Sequence, residues 1–307
     1  MLKHDTAELS LVPSSSSRVV EERDRMRQWL AQRIALGATK AVTEIISLTP
    51  VLAELLMETN AGNRTVSQTN LERIKRDVAG GLFEFNGESI IISRDGKLNN
   101  GQHRCLAVIE SGHAIRVVLV FGVERETRMT LDQGVTRTIG HFISMQGIDN
   151  ANVMGAAAGF AIQYERGFPL ATARRWRATK SEILRFLHDH PDMQDSVAFV
   201  MGKQSKGGLA SKSVLAFCHY AITHRLPKSD RQAADLFMDA LMSGDGLRKR
   251  DAILYVRNRL IDIRQGGSRQ TNIRAQLIFS AWNHYRRSEK VDRIWTDDTR
   301  PLPDLEA

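Results

Sequence analysis

The chain has 307 residues, 42% hydrophobic and 25% charged, which is typical of a globular protein, and no apolar run is long enough to predict a membrane-spanning helix or a membrane partner. Its two cysteines, Cys105 and Cys218, lack the spacing of a disulfide framework or a zinc site, which indicates reduced thiols and a cytoplasmic location. The net charge of +8 is uneven: residues 41–150 carry −2 and residues 151–307 carry +8.

The first predicted region, residues 1–39, is a flexible arm followed by a charged helix. Pro13 and the four serines after it offer little to bury. The helix is expected from Glu21 to Leu36 and to end at Gly37, and its apolar side is formed by Met26, Trp29, Leu30 and Ile34.

Residues 40–147 alternate between helix and strand patterns, which predicts an α/β domain. Thr49 before Pro50 and, further on, Ser67 are expected to cap two helices. The pair Asn86-Gly87, before an isoleucine run, predicts a hairpin. A helix from Gln102 to Gly112 and an apolar strand over residues 115–121 follow.

Residues 148–295 predict a basic, mainly α-helical domain, and residues 296–307 a tail. Apolar residues recur at helical spacing over 151–164, 179–190, 211–224, 230–242, 249–264 and 270–287.

The segment around Gly101 carries the clearest chemical pattern. A strand is expected to turn at Gly101 into a helix that begins Gln102-His103-Arg104. Free backbone N–H groups and the positive end of the helix dipole favour an anion there, and arginine can hold phosphate oxygens bidentately. The alternative is a glycine turn with solvated side chains. The pattern is not a phosphate-binding Walker loop, because GxxxxGK[ST] does not occur.

Residues 95–107, Asp-Gly-Lys-Leu-Asn-Asn-Gly-Gln-His-Arg-Cys-Leu-Ala, resemble the signature of the ParB/sulfiredoxin superfamily, especially its DGQHR branch from phages and mobile elements. The resemblance covers roughly residues 45–147. It implies a small mixed sheet with helices that binds a nucleoside triphosphate, ATP or CTP, with Mg²⁺.

The wider context also resembles the phage-type members, through Asn63-Arg64 before the signature and Asp132 and Arg137 after it. The alternatives are that Asp132 pairs with Arg137 and that Arg64 caps a helix. The candidate catalytic residues are His103, Asp132 and Asp95, because a histidine can transfer a proton near neutral pH and either aspartate can supply a carboxylate. The resemblance implies nucleotide binding by Arg64, Asn100, Gly101, Gln102, His103, Arg104 and Arg137.

Two departures from the family pattern bear on the chemistry. Sulfiredoxins carry a reactive cysteine where this chain has Gln102, and Cys105 lies one residue past the His-Arg pair. Cys105 is therefore expected to be a packing residue. DGQHR proteins and a related serine kinase carry an aspartate where this chain has Asn100, and an amide cannot act as a general base. Nucleotide binding is thus better supported than phosphoryl transfer.

Residues 244–293 hold twelve lysines and arginines against five acidic residues, with Trp282, Tyr285 and Trp295 in or beside them. Basic groups with aromatics indicate a nucleic-acid surface, and the alternative is a solvated basic face. No histidine has the spacing of a metal site, so no protein-bound metal is predicted. The expected nucleic-acid residues are Arg248, Lys249, Arg250, Arg257, Arg259 and Arg264.

These patterns and the resemblance predict a nucleotide-binding, DNA-associated ParB-like protein, acting as an NTPase or phosphotransferase in phage or mobile-element DNA processing or modification. A first alternative is a non-enzymatic DNA-binding regulator or partition-like clamp that the nucleotide switches. A second is a ParB-like nuclease, which the absence of clustered carboxylates near the signature disfavours. Nothing in the sequence indicates the oligomeric state.

Overall fold

The computed structural model describes residues 15–63, 65–130, 138–170, 177–204, 208–266 and 270–306. The chain divides into two compact units, Met1–Gly134 and Val135–Ala307, here called the sheet unit and the helical unit. This division precedes the predicted one at residue 147, because the helix Ile139–Met145 packs against the helix Ala151–Glu165 of the helical unit.

The sheet unit contains a mixed sheet of four strands, with the order β1-β4-β2-β3. The longest strand, β4, pairs antiparallel with β1 and parallel with β2, and β2 pairs antiparallel with β3. A small mixed sheet is what the sequence led us to expect. The strands are β1 Val42–Leu48, β2 Ser89–Ser93, β3 Leu98–Asn100 and β4 Ile115–Val123.

The predicted hairpin at Asn86-Gly87 is wrong, because residues 83–88 form no strand. The hairpin instead joins β2 to β3 through residues 94–97, where the amide of Ser93 donates to the carbonyl of Lys97 at 2.8 Å. The strand β1 was not predicted. It lies at the edge of the sheet and alternates between partly buried and exposed residues.

Within its described residues, the sheet unit has four α-helices: α1 Ser15–Gly37, α2 Pro50–Glu58, α3 Gln68–Ala79 and α4 Gln102–Ser111. The predicted caps are confirmed, since the side chain of Thr49 accepts from the amide of Leu52 and that of Ser67 from the amide of Asn70. The predicted apolar side of α1 is also confirmed, but the predicted start at Glu21 is wrong, because α1 begins at Ser15 among the serines assigned to the arm. Its Leu30 is buried in the core, and Trp29 meets Phe121 edge to face.

The helical unit is built around α9, whose residues from Val214 to Thr223 are all buried. The six helices predicted for this part of the chain are confirmed, whereas α8 was not predicted. No described helix has the length and apolar character needed to cross a membrane. The helices are α5 Ile139–Met145, α6 Ala151–Glu165, α7 Lys180–Asp189, α8 Met193–Met201, α9 Lys212–Arg225, α10 Arg231–Ser243, α11 Ala252–Gln265 and α12 Thr271–Arg286.

The segment 296–306, predicted as a tail, packs against α12. Leu302 and Leu305 are buried in the helical core. Backbone carbonyls of the segment accept hydrogen bonds from the side chains of α12, so their polar groups are satisfied away from water. The donors are Asn272, Gln276, Trp282 and Asn283.

Candidate functional site

The turn between β3 and α4 requires glycine. Gly101 is the N-cap of α4 and has a φ of +109°. A Cβ there would lie 2.7 Å from Cγ1 of Ile90, so a larger residue would both strain the backbone and overlap β2. Glycine has no side chain with which to cap the helix, unlike Ser67 at α3. The first N–H groups of a helix lack intrahelical partners, so this helix end favours an anion.

Arg104 binds the backbone next to β2. Only 7% of the residue is exposed. Its Nη1 donates to the carbonyl of Glu88 at 2.9 Å and its Nη2 to that of Ser89 at 2.7 Å. The guanidinium thus holds the start of β2 against α4. Its expected contact with phosphate stays a prediction.

His103 links the N-termini of α3 and α4. The residue is 7% exposed, and its Nε2 accepts the backbone N–H of Ser67 at 3.1 Å. Because a backbone N–H can only donate, this Nε2 is unprotonated and the neutral ring carries its proton on Nδ1. Proton transfer through Nε2 would first require the bond to Ser67 to break.

A set of amide side chains surrounds the start of α4. Nδ2 of Asn60 lies 3.5 Å from Oε1 of Gln102, which is itself buried. Asn63 donates to Oδ1 of Asn60 at 2.5 Å and to the carbonyl of Leu98 at 2.7 Å. Asn100 donates to the carbonyl of Ser89 at 3.4 Å. Together these contacts bring the loop after α2 to the start of α4.

Arg125 is a residue at this site that the sequence analysis missed. It follows β4, and its Nη1 donates to Oδ1 of Asn99 at 3.1 Å. Its Nη2 donates to the carbonyl of Ala61, and the side chain remains partly exposed. The available signal was an arginine two residues after the longest apolar strand, where a side chain can extend past the end of the sheet.

Asp95 lies in the turn between β2 and β3, so β3 separates it from Gly101. Its Oδ1 accepts from Oγ of Ser93 at 2.5 Å, and Lys97 lies 3.1 Å from its carboxylate. The hydrogen bond from Ser93 is the main reason that the pKa of Asp95 is lowered. The other expected members, Arg64, Asp132 and Arg137, lie outside the described residues.

Cys105 is fully buried in the core of the sheet unit. Burial raises the pKa of its thiol to about 12. Because the thiolate is the reactive form of cysteine, this environment fits a packing residue and does not fit a nucleophile.

The expected nucleic-acid residues fall into different environments. Arg248, Lys249 and Arg259 are exposed and have no ion-pair partner among the residues that the structure describes. Arg264 is also exposed and lies against Gly208. The remaining two contact other groups of the helical unit: Arg250 pairs bidentately with Asp292 at 2.8 and 3.0 Å, and Arg257 donates to the carbonyls of Leu241 and Met242.

Two segments of the helical unit run side by side at its basic surface. The amide of Val291 donates to the carbonyl of Arg250 at 2.9 Å, and Asp251 forms a bridge with Lys290. Trp295 is 75% exposed, and the guanidinium of Arg293 lies 3.6 Å from its ring centroid. Trp282, by contrast, is fully buried in the core of the helical unit. We define the basic patch as Arg248, Lys249, Lys290, Arg293 and Trp295.

The chain matches no protein-family model, no curated protein and no solved structure. The likeness to the ParB/sulfiredoxin superfamily therefore rests on the residues of the signature and their context.

Proposed function

We propose that this protein binds a nucleotide at the N-terminus of α4 and nucleic acid at the basic patch, as a ParB/sulfiredoxin-like protein in which the nucleotide is a switch. The observation that carries the proposal is the start of α4. It is a helix end at Gly101, whose N-cap residue has no side chain to cap it, within a signature that resembles nucleotide-binding proteins, and amide side chains surround it.

The polar groups at this helix end suit a phosphate. Gln102 and Asn60 place amide side chains at this helix end, where their N–H groups would bind phosphate oxygens in exchange for their present contacts, and Arg125 brings a guanidinium to the neighbouring loop. Donors of these kinds, with the helix dipole, are what phosphate oxygens bind in proteins. Arg104 and His103 contribute by holding β2 and α3 in place around the turn.

A switch is favoured over an enzyme because the described candidates for proton transfer are engaged elsewhere. Nε2 of His103 accepts from Ser67, Asn100 carries an amide, and Asp95 is bound by Ser93 and Lys97. The same engagement makes Asp95 a poor ligand for Mg²⁺. A Mg²⁺ ion would then be held mainly by the nucleotide phosphates, as is common at nucleotide sites.

The basic patch supports the nucleic-acid part of the proposal. Lysines and arginines that contact backbone phosphates release counterions, which favours binding. An exposed tryptophan with an arginine stacked on it, as at Trp295, gives a surface on which an unpaired base can stack. The patch therefore fits single-stranded nucleic acid better than a duplex.

The nucleotide site is tested by Gln102→Glu, which has nearly the same shape. The helix dipole favours a carboxylate at the first position of a helix, which partly offsets the cost of charging this buried position, and circular dichroism verifies that the variant is folded. It should repel phosphate by at least about 1.4 kcal/mol, a tenfold loss of affinity. Calorimetry with ATP, CTP, GTP and UTP in the presence of Mg²⁺ measures this.

The matched control is Gln32→Glu, the same change at an exposed position of α1. It should leave nucleotide affinity unchanged. Equal affinities for the two variants would remove α4 from the proposal. Product analysis in the same samples decides between the two roles of the nucleotide, because turnover by the wild-type protein would replace the switch with an enzyme.

The nucleic-acid surface is tested by replacing Arg248 and Lys249 with Ala, with Arg25→Ala/Lys40→Ala in the sheet unit as a control of equal charge change. Loss of two phosphate contacts should reduce the salt slope of single-strand binding by about 1.4. Fluorescence anisotropy at several salt concentrations measures the slope. Identical slopes for the two double variants would contradict the assignment of the patch.

A further inference from the structure

Two histidines and an aspartate meet where α7, α8 and α9 come together. His190 directly follows α7, Asp192 directly precedes α8, and His224 lies in the last turn of α9. Their potential ligand atoms all lie within 4.8 Å of one another. His190 and Asp192 are partly buried and His224 is exposed, so the cluster is accessible from solvent.

The ring of His190 is held in one orientation by its neighbours. Its Nδ1 lies 3.0 Å from the hydroxyl of Tyr220, and it stacks on Phe186 with ring centroids 4.3 Å apart. If Nδ1–H donates to the Tyr220 oxygen, Nε2 is left with its lone pair for a ligand. Histidines that bind metals are commonly oriented in this way by a hydrogen bond from the other ring nitrogen.

The carboxylate of Asp192 does not cap the helix that it precedes. It is the N-cap residue of α8, where aspartate usually accepts a backbone N–H. In the described part of the chain its side chain makes no such bond. Oδ2 instead lies 3.2 Å from Nδ1 of His224. The carboxylate is thereby turned from the helix end toward the two imidazoles.

We propose that His190, Asp192 and His224 bind a divalent transition metal, with Zn²⁺ as the preferred ion and water in the fourth position. Two imidazoles and one carboxylate form a donor set that suits zinc. Tetrahedral zinc needs ligand atoms about 3.4 Å apart, for bonds of about 2.1 Å. The exposed His224 can close the remaining distance by a small side-chain rotation. This site is separate from the proposed nucleotide site and its Mg²⁺.

The direct test is calorimetric titration of the whole, untagged protein with Zn²⁺ after treatment with EDTA. We expect saturable binding of one ion, weakened at least about tenfold by His224→Ala and by Asp192→Asn, since even residues beyond the ligands change affinity by that factor. The matched control is His188→Ala, which removes an exposed histidine of α7 that is not in the cluster. This variant should bind Zn²⁺ as the wild type does.

Co²⁺ in place of Zn²⁺ gives a second readout, because four-coordinate Co²⁺ absorbs visible light. The wild type and His188→Ala should show this absorption, and His224→Ala should lose it. Circular dichroism in EDTA verifies that all variants are folded. The proposal is overturned if the wild type binds no Zn²⁺ saturably, or if His188→Ala weakens binding as much as His224→Ala does.

Discussion

The start of α4 and the histidine cluster of the helical unit are built in opposite ways. At α4 the key residues are consecutive in sequence, and the side chains of His103 and Arg104 are buried against backbone groups. In the cluster, His190 and His224 come from different helices, and their ring nitrogens lie near a carboxylate at the surface. The contiguous signature at α4 thus supplies residues that form and hold a turn. The side chains that a ligand can reach in the cluster are instead brought together from distant parts of the chain.

The largest effect is expected where the turn excludes a side chain. Gly101→Ala should lower the free energy of unfolding by about 4 kcal/mol, from left-handed strain and overlap with Ile90. Gly112→Ala, at the other end of α4, has a φ of +70° but nothing within 4 Å of the new Cβ. This substitution should lower the free energy of unfolding by only about 1 to 2 kcal/mol. Urea unfolding measures both, and equal losses would show that the tight packing at the start of α4 contributes nothing.

Arg104→Ala should have the next largest effect and lower the free energy of unfolding by about 2 to 3 kcal/mol. The reason is that the carbonyls of Glu88 and Ser89 would remain partly buried without a charged donor. Arg73→Ala is the control, since Arg73 is exposed and contacts Asn70 on its own helix. It should change stability by less than about 0.5 kcal/mol. A loss of nucleotide affinity without a loss of stability in Arg104→Ala would instead place the guanidinium at the phosphate.

Cys105→Ala should lower the free energy of unfolding by about 1 kcal/mol, as expected for removing one small buried group. Nucleotide affinity should be retained. Since burial raises the pKa of this thiol to about 12, alkylation at pH 8 should be more than about a hundredfold slower in the folded protein than in urea. Mass spectrometry of alkylated peptides measures the rate at each cysteine. Rapid labelling of Cys105 in the folded state would revive thiol chemistry at the signature.

The smallest effect concerns His219, a buried contrast to the exposed His224. Its ring lies 2.9 Å from Ser196 and 2.8 Å from Asp235. Burial lowers its pKa, and Asp235 and Asp239 partly oppose this. The unfolded chain therefore binds the proton more readily, so stability present above about pH 6.5 is lost as the pH falls below that value.

The variant His219→Gln should lose less stability than the wild type between pH 7.5 and pH 5. His188→Gln, at an exposed position of α7, should follow the wild type. Urea midpoints at several pH values make the comparison. Parallel curves for all three proteins would show that protonation of His219 does not contribute.

Local features of the fold were predictable because their causes are local. Caps such as Thr49 and Ser67 act within one helical turn, and the apolar side of α1 is visible in its own spacing. The pairing between strands was harder to predict from the sequence. Asn86-Gly87 has the composition of a hairpin turn, yet β2 pairs in parallel with β4 and turns back only after Ser93. The edge strand β1 contains Glu44 and Ser47 and has no continuous apolar run.

The candidate site was predictable only in part, for the same reason. The glycine turn into α4 follows from residues 99–104. The contacts that surround it depend on how the loop after α2 and the end of β4 pack, and these involve Asn60 and Arg125. No spacing in the sequence relates those two residues to Gly101. The histidine cluster has the same property, since His224 lies 34 positions after His190 in the sequence.

The segment 296–306 is held by α12 as a bound peptide is held in a groove. Side-chain amides of the helix donate to backbone carbonyls of the segment, and the indole of Trp282 donates to the carbonyl of Glu306 at 2.7 Å. Covalent attachment supplies a high effective concentration, so weak individual contacts suffice. This face of α12 is thus a peptide-binding surface that a segment of the same chain occupies. A free peptide would have to displace that tethered segment in order to bind there.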